Sequence, residues 1–178
     1  IMFRQHGIVR DKSRFIAQNS GIWYYEMHTL GFNYRLTDIQ SALGISQLKK
    51  LDAFISRRRG IANIYNRTFK DNGFFDLPSV KAKIKPSWHL YPIRLKDKYK
   101  LKKKIIFSRL KEQGLGVQVH YLPVYRHPYY QRLGYENVIC PKAEDFYERE
   151  LSIPLYPSLS NKRVREVCRI ILDVFPKV

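Results

Sequence analysis

The feature that most constrains this chain is a helix start at Thr37, followed by a stretch without proline that runs to Leu77. The Thr37 hydroxyl can accept from a first-turn N–H while the Gln40 side chain reaches back, which is the pattern of a capping box. Apolar residues then recur at spacings of three, four or seven, which indicates one buried face: Leu48, Leu51, Ile55, Ala62, Tyr65 and Phe69. With Asn72 and Gly73 as a stop signal, the sequence predicts one long amphipathic helix over residues 37–73.

Two polar residues stand just before this helix start. Asn33 and Arg35 lie where unpaired N–H groups and the positive end of the helix dipole favour an anion, and a phosphate is the natural guest. The alternative is that Asn33 only tolerates a turn conformation and Arg35 is a solvated charge. Spacing alone leaves both interpretations open.

After the long helix, the pattern predicts a small α+β module. Its elements are a strand over 88–95, a helix over 99–113 closed by Gly114, a strand over 116–121, an extended segment over 151–157, and a helix over 161–174 capped by Ser160. Pro92 restricts the first strand to an edge or a bulge.

The predicted strand over 116–121 alternates between two kinds of side chain. Val117, Val119 and Tyr121 would face the core, while Gln118 and His120 would form a polar face. Because the strand is short and ends at a proline, Gln118 and His120 would lie at the end of the sheet, where ligands are often held. Contact with a ligand and ordinary sheet packing are both open at these positions.

The net charge of +18 and the pI of about 10.0 suggest a second class of function, nucleic-acid binding. Its strongest features are the arginine run at 57–59 and the lysine-rich stretch at 96–104. However, these lysines alternate with an apolar helical pattern, which indicates the solvated face of an amphipathic helix. The sequence also lacks helix-turn-helix, RNP and zinc-finger signatures, so nucleic-acid binding is the less favoured alternative.

Composition indicates a folded domain, since the chain has 178 residues and is 44% hydrophobic. No apolar run approaches the ~18 residues of a membrane helix, so no membrane partner is expected. Cys140 and Cys168 form neither a metal-binding pair nor a disulfide framework; we expect two inert core thiols, a reducing cytoplasm and no metal site. Residues 11–30 are predicted to be the least ordered, as a loop near a site opening.

Four segments together carry a resemblance to a known family. They are GFNYRLTDIQSALGISQLKKLD from Gly31, with the arginine run after it; the Arg-x-His-Gly pattern at Arg4, His6 and Gly7; the segment VHYLP at 119–123; and LSIPLYP at 151–157. In these motifs the chain resembles the DegT–StrS family of enzymes, aminotransferases that use pyridoxal 5'-phosphate (PLP) to aminate sugar nucleotides. The resemblance spans nearly the whole chain.

The resemblance implies an α/β fold, that of a fold type I PLP-dependent transferase, of which this chain would be the C-terminal half. Residues 1–36 would end the large cofactor-binding domain, 37–73 would form a long connecting helix, and 74–178 a small α+β domain. The family's Schiff-base lysine and the aspartate that pairs with the pyridine nitrogen precede the Arg-x-His-Gly motif. Lys12 lies after that motif, so no catalytic residue is expected in this segment, and alone it should be inactive. Ile1-Met2 also does not look like a natural start.

The resemblance also implies roles for particular residues. Asn33 would reach across a homodimer interface to the cofactor phosphate in an active site shared between subunits. The residues expected to contact the substrate are Tyr34, Arg35, Gln118, Val119, His120 and Tyr121.

The implied reaction has two steps. An amino acid, usually glutamate, would leave its nitrogen as pyridoxamine phosphate (PMP), which then aminates a keto-deoxy sugar linked to UDP or another nucleoside diphosphate. The likeness is greatest to the branch of pseudaminic acid biosynthesis, so the product would serve surface or flagellar glycans. Because the lysine position lies outside the sequence, a PLP-dependent sugar dehydratase of the same family is an open alternative.

Overall fold

The computed structural model describes residues 1–17 and 21–178, which form two compact units, Ile1–Lys50 and Leu51–Val178. The first unit contains an antiparallel pair of short strands, β1 (Ile8–Val9) and β2 (Glu26–Met27), and the helix α1 (Asp38–Leu48). Within the stretch 11–30 predicted to be a loop, the structure has a 3-10 turn at Lys12–Arg14 and strand β2, and residues 18–20 lie outside the described part.

The second unit contains three strands and six α-helices among its described elements, besides short 3-10 and π-helical turns. The strands are β3 (Phe75–Asp76), β4 (Tyr91–Leu95) and β5 (Glu150–Ile153). The helices are α2 (Leu51–Thr68), α3 (Asp97–Lys100), α4 (Lys103–Glu112), α5 (Pro128–Tyr130), α6 (Pro141–Arg149) and α7 (Asn161–Val174).

The predicted helix start is confirmed. The hydroxyl of Thr37 accepts from the Gln40 backbone N–H at 3.3 Å, and the Gln40 side chain accepts from the Thr37 N–H at 2.9 Å. The structure has two helices where the sequence predicts one, with a turn at residues 49–50 between them. Leu48 and Leu51 flank this turn and are both exposed, so no packed face runs through it to hold a single helix.

The sheet of the second unit is antiparallel, in the order β3-β4-β5. Alternate residues of β4 are buried, namely Tyr91, Ile93 and Leu95. Pro92 lies opposite Ser152 of β5, while β3 pairs only with the last two residues of β4. Proline is tolerated here because the strand has no β3 neighbour at that level.

The core of this unit lies between the sheet and three helices. From α2, α4 and α7 it receives, among others, Ala62, Tyr65, Ile106, Leu110, Val164 and Ile171. The predicted cap of α7 is confirmed, since the Ser160 hydroxyl accepts from the Arg163 N–H. The predicted helix over 99–113 is divided into α3 and α4, and its end at Gly114 is confirmed by a left-handed φ of +79°.

Three sequence expectations are corrected here. Residues 116–121 do not form a strand, because only Gln118 pairs with Ser152 and the next available N–H, that of His120, donates to a side chain of β5 instead. Tyr121 is 71% exposed rather than in the core. Cys168 is buried as expected, but Cys140 is exposed because it precedes the surface helix α6. Within the described residues, no helix is long and apolar enough to cross a membrane.

Candidate functional site

In the first unit, two of the motifs that were identified in the sequence hold each other in place. The Arg-x-His-Gly segment runs beside the GFNYR segment and is joined to it by three backbone hydrogen bonds: His6 N to Phe32 O at 2.9 Å, Phe32 N to Phe3 O at 2.6 Å, and Tyr34 N to Arg4 O at 3.0 Å. The backbone position of Asn33 is therefore determined by the first motif, although the two are far apart in sequence.

Two glycines make this close approach possible. A Cβ on Gly31 would lie 2.2 Å from the Gly7 nitrogen and 2.7 Å from the His6 carbonyl carbon. A Cβ on Gly7 would lie 1.7 Å from the Thr29 oxygen, and Gly7 also has a left-handed φ of +72°. Both glycines are required by the backbone geometry, which gives a structural reason for the glycine in each motif.

The side chains predicted to bind cofactor and substrate in this unit are exposed. The Asn33 amide oxygen accepts from the Arg35 guanidinium at 3.4 Å, and Arg35 thereby orients the carboxamide. Tyr34 is 72% exposed, and its ring stacks on Phe32 with centroids 4.9 Å apart. The arrangement presents the Asn33 amide group and the Arg35 guanidinium side by side, both of them hydrogen-bond donors suited to an oxyanion.

The helix start contributes less to anion binding than the sequence suggests. The capping box already occupies the N–H groups of Thr37 and Gln40, and Asp38 places a carboxylate in the first turn. A negative charge in the first turn neutralises part of the positive end of the helix dipole. Attraction for a phosphate near this terminus therefore depends on Asn33 and Arg35.

In the second unit, a cavity of about 500 Å³ lies between α7, the segment 113–120, and the chain around and after the end of β5. Gln118 and His120 both line it, together with Ser152 of β5 and with Arg163 and Glu166 of α7. Its apolar lining residues are Leu90, Leu115, Ile153, Pro154, Leu155, Leu159, Val167 and Ile170. Apolar walls with a few convergent polar groups are typical of a site for a small organic ligand.

The four residues predicted in this region divide into two pairs. Gln118 and His120 are brought together in the cavity. Val119 points elsewhere and lines a separate surface groove with Phe107 and Tyr147, and Tyr121 is exposed outside the cavity. Neighbouring side chains of an extended segment point to opposite sides, so Gln118 and His120 share the cavity while Val119 and Tyr121 lie outside it. Contact of these four residues with the substrate stays a prediction.

Sequence reasoning missed Glu150, the first residue of β5, which is 0% exposed. One of its carboxylate oxygens accepts from the His120 backbone N–H at 2.7 Å, and the other accepts from the Ser152 hydroxyl at 2.5 Å. Among the described residues, Glu150 and Ser152 are the two polar residues that are buried, at 0% and 4% exposed. The available signal was a charged residue at the start of an otherwise uncharged strand run.

The three consecutive arginines also have a structural role. Arg57 donates to Asn161 Oδ1 at 2.8 Å and to the Leu159 carbonyl, and Arg58 donates to the carbonyls at 88, 89 and 155. Arg59 donates to the carbonyls of residues 85 and 86. These guanidinium groups attach two loops to α2, including the loop that forms one wall of the cavity, so several of their donors are used within this unit.

Several lysines of the stretch 96–104 are engaged in the same way. Lys100 pairs with Glu148 at 2.5 Å, and Lys102 donates to the carbonyl of Val178. Lys103 donates to the Tyr147 carbonyl, and burial lowers the pKa of its amine while the charges of Glu150 and Glu148 raise it. The basic stretch therefore includes side chains with acidic or carbonyl partners in the same unit.

The chain belongs to the DegT/DnrJ/EryC1/StrS aminotransferase family, whose sequence pattern matches residues 1–172. This confirms the resemblance that the motifs indicate. Curated relatives include the UDP-4-amino-4,6-dideoxy-N-acetyl-beta-L-altrosamine transaminases of Campylobacter jejuni (38% identical over 99% of this chain and 44% of the relative) and Helicobacter pylori (38% over 98% and 44%). The chain thus spans less than half the length of these relatives.

Solved structures give the same result for the fold. One of them is Helicobacter pylori PseC, an aminotransferase involved in the biosynthesis of pseudoaminic acid, which matches at 36% identity and a TM-score of 0.86. The match covers 99% of this chain and 45% of the PseC chain. Spr1654 of Streptococcus pneumoniae, which is assigned as a sugar aminotransferase, matches at 27% identity with a TM-score of 0.84. The match covers 99% of this chain and 44% of Spr1654, whose structures include a PMP form and a PLP form. The expected fold class, that of fold type I aminotransferases, is confirmed.

Proposed function

We propose that the protein containing this chain is a PLP-dependent aminotransferase that moves an amino group from an amino acid, glutamate, to a keto-deoxy sugar on UDP. The relatives that support this share 38% identity across nearly the whole chain and are named as transaminases of a UDP-linked amino sugar. The structural observation that carries the proposal is the cavity that brings Gln118 and His120 together. The amino sugar product would enter pseudaminic acid and hence surface or flagellar glycans.

The residues present in the first unit fit the phosphate of PLP. Asn33 offers its amide N–H groups and Arg35 its guanidinium, both exposed and adjacent, and Arg35 holds the carboxamide oxygen. Hydrogen bonds from such donors to a charged oxygen contribute about 1.5–3 kcal/mol each. When bound, PLP supplies the electron sink that amino transfer needs. The Schiff-base lysine belongs, by the family pattern, to a part of the protein outside this chain.

Gln118 and His120 would orient the sugar nucleotide. An amide and an imidazole can each both donate and accept, which suits the mixed hydroxyl, carbonyl and amide groups of a modified sugar. His120 Nδ1 is buried and makes no hydrogen bond within the described residues, so the ring has bonding capacity left. The apolar side chains around them exclude water from the bound ligand. Val119 and Tyr121 are left out of this proposal, because neither lines the cavity.

The test uses the full-length protein loaded with PLP, isotope-labelled glutamate and a UDP-linked 4-keto-6-deoxy sugar. Transfer of the labelled nitrogen to the sugar, followed by mass spectrometry, would support the proposal. Gln118→Ala and His120→Ala should raise KM for the sugar nucleotide and leave KM for glutamate unchanged. Gln131→Ala, at an exposed position outside this cavity, is the matched control. Loss of the keto sugar without gain of label would instead favour the dehydratase.

The family pattern also leads us to propose a cytoplasmic homodimer with shared active sites. Cross-complementation tests the sharing: an Asn33→Ala subunit mixed with a subunit that lacks the Schiff-base lysine should regain activity only if each site uses both chains. The nucleic-acid alternative is disfavoured by the intrachain bonds of residues 57–59. Oligonucleotide binding that falls steeply with salt would revive it.

A further inference from the structure

Glu150 links the segment that carries Gln118 and His120 to the body of the second unit. The segment is attached to β5 at two successive points. At the first, Gln118 and Ser152 exchange backbone hydrogen bonds of 3.1 and 2.8 Å. At the second, the strand partner is replaced by a side chain, since the Glu150 carboxylate accepts from the His120 N–H at 2.7 Å.

This link bears directly on the cavity because both attachment points belong to residues that line it. Gln118 and His120 are separated by Val119, whose side chain lies in the groove on the other side. A segment bonded at 118 and 120 cannot rotate about its own axis without breaking one of these bonds. The two polar side chains are therefore kept on the cavity side, and Val119 on the other.

The Glu150 carboxylate is itself held in place by hydrogen bonds. It is fully buried, and its second oxygen accepts from the Ser152 hydroxyl at 2.5 Å, so both oxygens are used. Burial of an ionised carboxylate is unfavourable unless hydrogen bonds compensate for lost water. A neutral acceptor would be a weaker partner for the His120 N–H, because charge-assisted hydrogen bonds are roughly twice as strong as neutral ones.

We propose that Glu150 is a positioning residue for the substrate: it holds the His120 backbone so that Gln118 and His120 face the sugar nucleotide. This inference rests on the proposed function. Glu150 is fully buried and does not line the cavity, and its carboxylate accepts hydrogen bonds from the His120 N–H and the Ser152 hydroxyl. Its effect should therefore be specific to the sugar nucleotide and absent from the reaction with the amino donor.

The experiment compares a graded pair of variants in the full-length, PLP-loaded protein. Glu150→Gln keeps the shape and one acceptor, whereas Glu150→Leu removes every acceptor at similar volume. Glu148→Leu is the matched control, since that side chain is half-buried near the surface, at 40% exposed, and pairs with Lys100 instead. The two readouts are hydrogen–deuterium exchange of the peptide over 116–122 and the separate KM values for sugar nucleotide and glutamate.

We expect both the exchange rate at His120 and KM for the sugar nucleotide to rise, by a few-fold in Glu150→Gln and by about tenfold in Glu150→Leu. KM for glutamate should stay unchanged in both variants, and Glu148→Leu should leave both readouts unchanged. Exchange in β4 and α7 reports whether the fold is intact, and if the Leu variant unfolds, the Gln variant decides. Unchanged exchange at His120 overturns the inference, and so does raised exchange without a rise in KM for the sugar. If the wild-type protein transfers no nitrogen, the proposed function fails, and the exchange result still shows separately whether Glu150 holds the segment.

Discussion

Replacing Gly31 with alanine places a methyl group inside the contact between the two motifs of the first unit. The new Cβ would lie 2.2 Å from the Gly7 nitrogen and 2.7 Å from the His6 carbonyl carbon. Both are backbone atoms, so no side chain can rotate to make room. The GFNYR segment must move away from the Arg-x-His-Gly segment.

The structure sets the size of the effect. The movement would weaken the three backbone hydrogen bonds that involve His6, Phe32 and Tyr34. At about 0.5–1.5 kcal/mol net for each bond, Gly31→Ala should destabilise the first unit by about 2–4 kcal/mol. It should also displace Asn33 and so weaken retention of PLP, because the Asn33 backbone is part of the same pairing.

Hydrogen–deuterium exchange is the direct assay, since the amides of these residues are the ones that lose their partners. We expect exchange over residues 4–9 and 29–36 to accelerate at least tenfold, which corresponds to about 1.4 kcal/mol. Gly44→Ala is the control: nothing lies within 4 Å of its Cβ, and α1 should gain about 1 kcal/mol of helix propensity. Unchanged protection in Gly31→Ala would refute the claim that the glycine is required for the pairing.

Three further predictions concern single contacts. Burial raises the pKa of Glu26, but hydrogen bonds from His28, from two backbone amides and from Tyr24 lower it to about 2, below the ordinary 4.5. The ionised Glu26 side chain should therefore stabilise the fold fully above pH 4.5, and this contribution should be lost as pH falls toward 2. Urea unfolding at a series of pH values measures the loss. Tyr65→Phe removes a 2.6 Å hydrogen bond to the Pro154 carbonyl and should cost about 1–3 kcal/mol in the same assay. Asn33→Ala in the full-length protein should weaken PLP affinity about tenfold, more than it weakens dimerisation, in a cofactor titration.

Each of these has a control and a contradicting result. Glu26→Gln should flatten the acid dependence, and a variant that keeps the wild-type dependence would assign the effect to another carboxylate. Tyr129 is 61% exposed, so Tyr129→Phe should leave stability unchanged where Tyr65→Phe does not. An unaltered PLP affinity in Asn33→Ala would contradict the role given to that residue.

Local signals predicted the elements that depend on neighbours in sequence. The capping box at Thr37, the end of α4 at Gly114 and the cap of α7 at Ser160 are confirmed, because each is completed within a few residues of chain. Burial on β4 also follows from alternation, since one face of a strand meets the core.

Expectations that depended on distant partners were less successful. Strand alternation over 116–121 predicted a core position for Tyr121, but strand pairing stops at Gln118, and at His120 the Glu150 side chain replaces a backbone partner. Periodicity likewise continued one helix across residues 49–50, where no packed face exists. The roles of Glu150 and of the arginine run could not be inferred from residue spacing. Most of their hydrogen-bond partners lie 30 or more residues away in the sequence.

The sequence by itself determined the family, the motif residues and the helix ends at Thr37, Gly114 and Ser160, because these depend on residue identity and on contacts along the chain. Only the tertiary structure decided which of those residues act together. It placed Gln118 and His120 on one cavity and Val119 and Tyr121 outside it, and it paired Gly7 with Gly31. The physical reason is that a hydrogen bond or a steric contact between distant segments is a property of packing, and packing depends on the whole unit at once.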